Sequence, residues 1–236
     1  MDLKIRDVAD LLNVSETTIR RWLVDGKIPA YRLNSQYRFN RLEIEDWVMS
    51  QKVSDASHSP SHAINLESEK PSQASRGSKQ FSLYRAIHKG GILYDIPGDT
   101  KEGIIRTTMK QLESELNLDA DVISDLLLDR ENLQPTALNN GIAIPHTRDF
   151  LLNAHSNIVT VVFPKHAIEY GAMDNKPVHT LFFLFSSDDK HHLHLLAKIA
   201  HLSSQPEMLE LLQSPPPKDV LLEYIKNWES NIQQAT

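Results

Sequence analysis

The chain has 236 residues, 40% of them hydrophobic and 24% charged, with a formal net charge of −6 and no cysteine. That length allows one medium and one small domain, while the missing cysteines exclude disulfides, thiolate zinc sites and cysteine nucleophiles. The longest unbroken apolar run, Leu181 to Phe185, is far too short for a membrane span, and Met1-Asp-Leu-Lys-Ile-Arg6 has no signal-peptide core, so a cytoplasmic protein without a membrane segment is expected.

Charge is unevenly spread. Residues 1–52 carry nine Lys/Arg against eight Asp/Glu, whereas the remainder carries sixteen against twenty-three. Between Arg20 and Arg41 there are six basic residues and only Asp25 opposing them, a local basic patch suited to phosphate contact.

In the N-terminal stretch Ile5, Val8, Ala9 and Leu12 recur at i, i+3, i+4 and i+7, one apolar helical face. Asn13 ends that helix, Val14 lies in the turn, and Ser15 suits the cap of the next. Ile19, Trp22 and Leu23 form the inward face of the second helix. Thr17, Arg20 and Arg21 share its outer face, and Gly26 stops it. This is the pattern of a helix-turn-helix with its recognition helix. A two-stranded wing follows, Ile28 to Leu33 and Gln36 to Phe39, turning at Asn34-Ser35 and carrying Arg32 and Arg38. Asn40 caps a last helix whose Ile44, Trp47 and Val48 pack inward. The run DVADLLNVSETTIRRWLVDGKIPAYR, with QYRF and IEDWV after it, resembles the excisionase/MerR-like winged-helix DNA-binding domains, and excisionase-like chains match best. The resemblance implies that Thr17, Thr18, Arg20, Arg21 and Arg38 contact DNA; a helical adaptor that binds no DNA is the alternative. No long coiled coil of the MerR type follows.

Residues 53–79 hold eight serines with Pro60, Pro71 and Gly77, the composition of a flexible linker. The expected domains are therefore 1–52 and 80–236. The second reads as mixed strands and helices, an α/β protein. Phe81 to His88 is helical, Ile92 to Ile96 a strand, and Pro97-Gly98-Asp99 a turn. Helices follow over Thr100 to Leu116 and about Asp119 to Asp129, leading into Arg130-Glu131. Strands are expected at about Ile142–Ile144, Ile158–Phe163 and Val178–Ser186, then helices from Asp189 onward with a break at Ser214-Pro-Pro-Pro217.

Two segments carry the chemistry. In Arg130 to Arg148, RENLQPTALNNGIAIPHTR, the triplet Ile142-Ala-Ile144 reads as a short buried strand that must leave the sheet at Pro145, which has no N–H to donate. His146 then stands at a strand end, where open α/β sheets place their sites, and neutral imidazole offers a nucleophilic lone pair. In Ser186 to Leu202 a capped helix carries four histidines. At ~100° per residue, His191, His194, Lys198 and His201 fall on a polar face, while His192 lies on the apolar arc of Leu193, Leu196, Ile199 and Ala200. His194 and His201 are aligned, but no acidic or cysteine ligand is fixed beside them, so no metal is assigned.

Both segments resemble the fructose/mannitol-class enzyme IIA of the phosphoenolpyruvate:sugar phosphotransferase system (PTS), over residues ~90–229. The resemblance implies a five-stranded mixed sheet with helices on both faces, and His146 as the residue that carries the phosphoryl group. It also implies His192 as the second active-site histidine, Arg130 as a permanent charge beside His146, and Thr136 as a hydroxyl donor to a phosphoryl oxygen. Thr147 stands where many members have glycine. Glu131 is expected to brace the local fold. Phosphoryl transfer between histidines needs an in-line nucleophile and donors for the equatorial oxygens, and the second ring nitrogen of His146 must donate to a fixed acceptor to hold the tautomer. Nothing resembles a nucleotide-binding loop and no cofactor is implied, so phosphate should arrive from another protein.

The reading is a IIA domain that takes a phosphoryl group from the histidine phosphocarrier protein HPr or a paralogue, tethered to a DNA-binding domain. It resembles the nitrogen-related IIA proteins, which regulate rather than import; a IIB domain or a regulated protein is a further possible partner. Two alternatives stand beside it: a sugar-transport carrier with an incidental helix-turn-helix, and a DNA-binding regulator whose IIA domain senses without phosphate turnover. A 27-residue tether spans roughly 30 Å against a Debye length of ~8 Å. Any control of DNA binding by phosphorylation must therefore act by docking of one domain on the other.

Overall fold

The structure, a computed structural model, describes residues 2–12, 14–33, 36–50, 82–147 and 157–231. The expected helix end at Asn13, the wing turn at Asn34-Ser35, the linker 53–79, Phe81 and Arg148 lie outside the described residues.

The N-terminal unit follows its apolar spacing. Strand β1 (Asp2–Leu3) precedes helices α1 (Ile5–Leu12) and α2 (Glu16–Val24), a wing of β2 (Tyr31–Leu33) and β3 (Gln36–Asn40), and helix α3 (Arg41–Ser50). Ser15 caps α2 by accepting from the Thr18 amide, and Asn40 caps α3 by accepting from that of Leu42. Gly26 takes φ +65° just past α2, the left-handed conformation that glycine adopts without steric cost. Val8, Ile19, Phe39, Ile44 and Val48 form the core, closed by Trp22 against Trp47 at 5.4 Å between ring centroids. Strand β1, which pairs antiparallel with β3, is too short to leave a periodic signal in the sequence.

The C-terminal unit comprises α4 (Ser82–Gly90), β4 (Ile92–Ile96), α5 (Lys101–Leu116), α6 (Ala120–Leu133), β5 (Ile142–Ala143), β6 (Ile158–Pro164), β7 (Thr180–Phe185), α7 (Asp189–Leu202), α8 (Pro206–Leu212) and α9 (Lys218–Asn231). Its sheet has the order β4-β6-β7-β5, with β4 parallel to β6, β6 antiparallel to β7, and β5 parallel to β7. Every residue of β6 and β7 is buried, so side chains of both parities meet an apolar layer. Phe182 and Leu184 point to the side of α4, α7, α8 and α9. Leu181, Phe183 and Phe185 point to the side of α5 and α6. The α/β/α layering agrees with expectation, but the described sheet has four strands rather than five. Residues 136–138 lie along the outer edge of β5, joined by one bridge, Ala137 to Ala143, with the Leu138 amide donating to the Ile142 carbonyl and the Ile144 amide to that of Thr136, too short a pairing to count as a strand. Helix α6 also runs past its expected end and carries Arg130 and Glu131 in its last turns.

Helix α7 is held from three sides. The Glu229 carboxylate of α9 accepts from the amides of Leu83 and Tyr84 at 3.1 and 2.9 Å and pairs with Lys198 of α7. Burial pulls the Lys198 ammonium below its ordinary range, and Glu229 opposes that shift. The face of α7 expected to be solvated is therefore largely covered: Lys198 is buried, His194 lies within 3.1 Å of the Ser82 hydroxyl, and His201 meets Trp228 edge-on. Among the described residues no helix is long and apolar enough to cross a membrane.

Removing one partner of a buried ion pair leaves the other uncompensated, at a cost of about 3–5 kcal/mol. Glu229→Ala should therefore lower unfolding stability by about that amount in urea titrations. Glu229→Gln, which keeps one acceptor for the α4 amides, should lose less.

Candidate functional site

The site begins at a turn. Asn140 and Gly141 both take positive φ, 65° and 75°, and a Cβ on Gly141 would fall 2.4 Å from the His179 ring and 3.0 Å from the Pro177 carbonyl. This turn delivers Ile142 and Ala143 to the sheet. The chain does not leave at Pro145 as expected. It continues along β7, where the Leu184 amide donates to the Pro145 carbonyl at 2.9 Å and His146 bridges to Leu184. Proline is tolerated because β5 is the edge on that side of the sheet and only the proline's acceptor is used.

His146 is fully buried. Its Nδ1 lies 2.8 Å from the Ile144 carbonyl oxygen, an acceptor only, so Nδ1 carries the proton and donates. The lone pair is thereby assigned to Nε2. The His192 ring sits 5.1 Å away between centroids, tilted by 58°. His192 is also buried, as its place on the apolar arc requires, with Nδ1 3.2 Å from the Ser186 hydroxyl. Burial, then the positive fields of His146, Arg41 and Arg130, hold His192 well below the ordinary histidine range. The shift favours the neutral imidazole over the imidazolium.

Arg130 is 3% exposed. One guanidinium nitrogen donates to the Gln134 carbonyl at the end of α6, and the other reaches Asp46 Oδ1 at 3.0 Å. Thr136 is buried, but its hydroxyl and amide both donate to the Glu131 carboxylate. In this conformation that hydroxyl braces the loop rather than facing His146. Glu131 has the bracing role expected of it, with a carboxyl pushed up by burial and held back by the Thr136 bonds. Thr147 is buried beside the site.

Sequence reasoning missed the residues that close the site. They come from the N-terminal unit. Glu45 on α3 is fully buried, its Oε1 3.9 Å from His192 Nε2. Ligand-type atoms of Glu45, His146 and His192 all lie within 4.8 Å of one another, so these three are the described residues that can approach a metal together. Arg41 bonds Glu45 at 3.0 Å and pairs with Asp189 in the first turn of α7. The spacing of Arg41, Glu45 and Asp46 on one helical side is visible in the sequence, but nothing in it points to a partner surface.

Elsewhere on that unit, Thr17, Arg20 and Arg21 are exposed on α2, as expected. Thr18 is not. It is 8% exposed and its hydroxyl lies 2.9 Å from that of Ser15, so it belongs to the cap and the core and is withdrawn as a DNA contact. Arg20 shares its charge with Glu16 at 3.5 Å. Arg38 is partly exposed and bonded to Gln36, and Arg32 stacks on Tyr37 at 5.3 Å. Arg41, counted in the basic patch from sequence, faces the C-terminal unit instead.

The depressed His192 has a pH consequence. Folded protein binds this proton less readily than unfolded chain, whose histidine titrates near ~6.5. The stability tied to neutral His192 is therefore complete above that pH and declines as pH falls below it. Ring-nitrogen NMR should find His192 neutral from pH 8 to 6, with unfolding stability falling on further acidification, and less so in His192→Gln.

Residues 86–228 match the phosphoenolpyruvate-dependent sugar phosphotransferase system EIIA 2 family, and residues 3–52 match a helix-turn-helix domain. A nitrogen regulatory protein of Pseudomonas aeruginosa is 31% identical over 146 residues, covering 61% of this chain and 94% of the relative. The transcriptional repressor DcmR of Methylorubrum extorquens is 43% identical over 63 residues, only 23% of its own length. The crystal structure of nitrogen regulatory protein IIA-Ntr from Neisseria meningitidis is similar with a TM-score of 0.52 at 25% identity, over 61% of this chain and 94% of that one. The chain belongs to the EIIA 2 family of the phosphoenolpyruvate-dependent sugar phosphotransferase system, whose model matches residues 86–228, and carries an N-terminal helix-turn-helix domain.

Proposed function

We propose that this chain accepts a phosphoryl group on His146 Nε2 from the phosphohistidine of HPr or a paralogue, and that it acts as a regulator whose output is DNA binding. The observation that carries the reading is the bond from His146 Nδ1 to the Ile144 carbonyl. It fixes the tautomer and aims the Nε2 lone pair at the corner shared with His192.

The step balances without a free proton. His146 Nε2 forms a bond to phosphorus as the donor's N–P bond breaks. The donor phosphoimidazolium leaves as neutral imidazole, taking the electron pair of that bond, while His146 becomes a phosphoimidazolium that keeps its Nδ1 proton on Ile144. Neutral His192 can donate from one ring nitrogen to an equatorial oxygen, and Arg130 supplies fixed positive charge. Thr136 would have to turn from Glu131 to add a third donor. The regulatory reading is favoured over a transport carrier with an incidental helix-turn-helix by one observation: side chains of the N-terminal unit stand in the site itself. On the DNA side Thr17, Arg20, Arg21 and Arg38 are the proposed contacts, with α2 presented to the major groove.

Phosphoenolpyruvate with enzyme I and HPr should place acid-labile label on His146, and His146→Ala should accept none; full labelling of that variant sinks the assignment. His192→Ala should slow transfer on the order of 10²-fold, well beyond the effect of His201→Ala.

Duplex binding should weaken steeply with salt. Each phosphate contact contributes about one unit to the log–log slope, so Arg21→Ala with Arg38→Ala should flatten it by about two. An unchanged slope would remove Arg21 and Arg38 as phosphate contacts, and no duplex binding even at low salt would leave the adaptor reading in place.

A further inference from the structure

The proposed phosphoacceptor is sealed by the chain's own N-terminal unit. His146 has no exposed surface, and α3 lies over the corner where a donor histidine would have to approach in line. Three polar contacts and two apolar ones hold it there. Asp46 reaches Arg130 at 3.0 Å. Glu45 is buried against His192 and His146. Arg41 ties Glu45 to Asp189 of α7. Leu11 of α1 packs into the core of the C-terminal unit, and Ala197 of α7 into that of the N-terminal unit.

The chemistry of this contact is that of a substitute anion. Arg130 and the two histidines form a corner suited to a phosphoryl group, and α3 brings two adjacent carboxylates to it. Phosphoryl and carboxylate cannot share the place. A phosphoryl group adds nearly two negative charges, and Glu45, fully buried, would face it with no water between to screen the repulsion.

We propose that the N-terminal domain is a plug of the phosphorylation site, with Glu45 and Asp46 standing in the phosphoryl position, so that docking and phosphorylation of His146 exclude each other and phosphoryl transfer releases the DNA-binding domain. The proposal rests on the phosphoacceptor reading above and assigns the phosphorylated state to the released N-terminal domain. The plug does not hide the DNA-facing side: Arg20, with 63% of its side chain exposed, and Arg21 remain exposed in the docked state. What docking blocks is access to His146.

The native chain has no cysteine, so two can be introduced at exposed positions, Val24→Cys and Val122→Cys, and spin-labelled in the full chain. Electron–electron distance measurements should give one narrow distribution without phosphate and a broad one after treatment with phosphoenolpyruvate, enzyme I and HPr. Glu45→Lys with Asp46→Lys should broaden it without phosphate and raise the initial rate of His146 labelling at least tenfold. Asp189→Lys, made on the other side of the contact, should act in the same direction without altering the N-terminal domain. Equal labelling rates in wild type and both variants, or a wild-type distribution already as broad as theirs, would overturn the plug. Broadening by a chelator alone would assign the clamp to a metal at Glu45, His146 and His192 and overturn the carboxylate account. If no sample accepts phosphate, the phosphoacceptor reading falls, while the distances still decide whether the domain docks through these charges.

Discussion

Everything at this site depends on helix α7 being buried on more than one side. Leu193, Leu196 and Ile199 pack on the sheet, Lys198 is locked to Glu229, and Ala197 faces the N-terminal core. A helix so enclosed has no freedom to roll. Its first turn therefore presents His192 to His146 and Asp189 to Arg41 at fixed positions. The ring of His146 is held with equal firmness from the other direction, by one bond to Ile144 and by the run of its backbone along β7. Two rigid supports thus meet at a pair of imidazoles, the preorganisation that the proposed phosphoryl transfer would need.

The same rigidity makes the corner electrostatically demanding. Arg130 is buried with one nitrogen spent on Gln134, and a buried guanidinium requires a compensating acceptor. A phosphoryl group would satisfy it; without one, Asp46 does. On the proposed reading, the charge on Arg130 favours either a phosphorylated His146 or a docked α3. By thermodynamic linkage, the factor by which phosphorylation would disfavour docking is the factor by which docking would disfavour phosphorylation. Because α2 remains exposed when α3 is docked, DNA affinity would be governed by the freedom of the N-terminal domain rather than by masking of its recognition helix.

Much of this molecule can be read from residue order. Ser15 and Asn40 cap helices as their side chains suggest, and β4 spans the expected Ile92 to Ile96. His192 could be singled out because one residue in 3.6 sets the face of a helix, and that face is apolar. Where the reading failed, longer-range packing decided. Pro145 looked like a strand terminator, yet at a sheet edge only its carbonyl matters. Thr18 sits beside the outer-face residues in sequence but turns inward to Ser15. Lys198 falls on the polar face of α7, yet α9 brings Glu229 to it and buries it.

The sequence by itself determined two domains, their apolar cores and the identity of the two histidines, because local periodicity and short motifs depend on neighbours within a turn or two of the chain. Only the tertiary structure decided that α3 lies across His146, that Glu45 and Asp46 face the corner, and that Arg41 leaves the basic patch. Those contacts join residues more than eighty positions apart, as Asp46 and Arg130 are, across a segment whose composition specifies no geometry. Nothing in a carboxylate's own sequence neighbourhood reveals whether it meets water or a buried arginine. That is settled by which surfaces of two separately formed cores fit together.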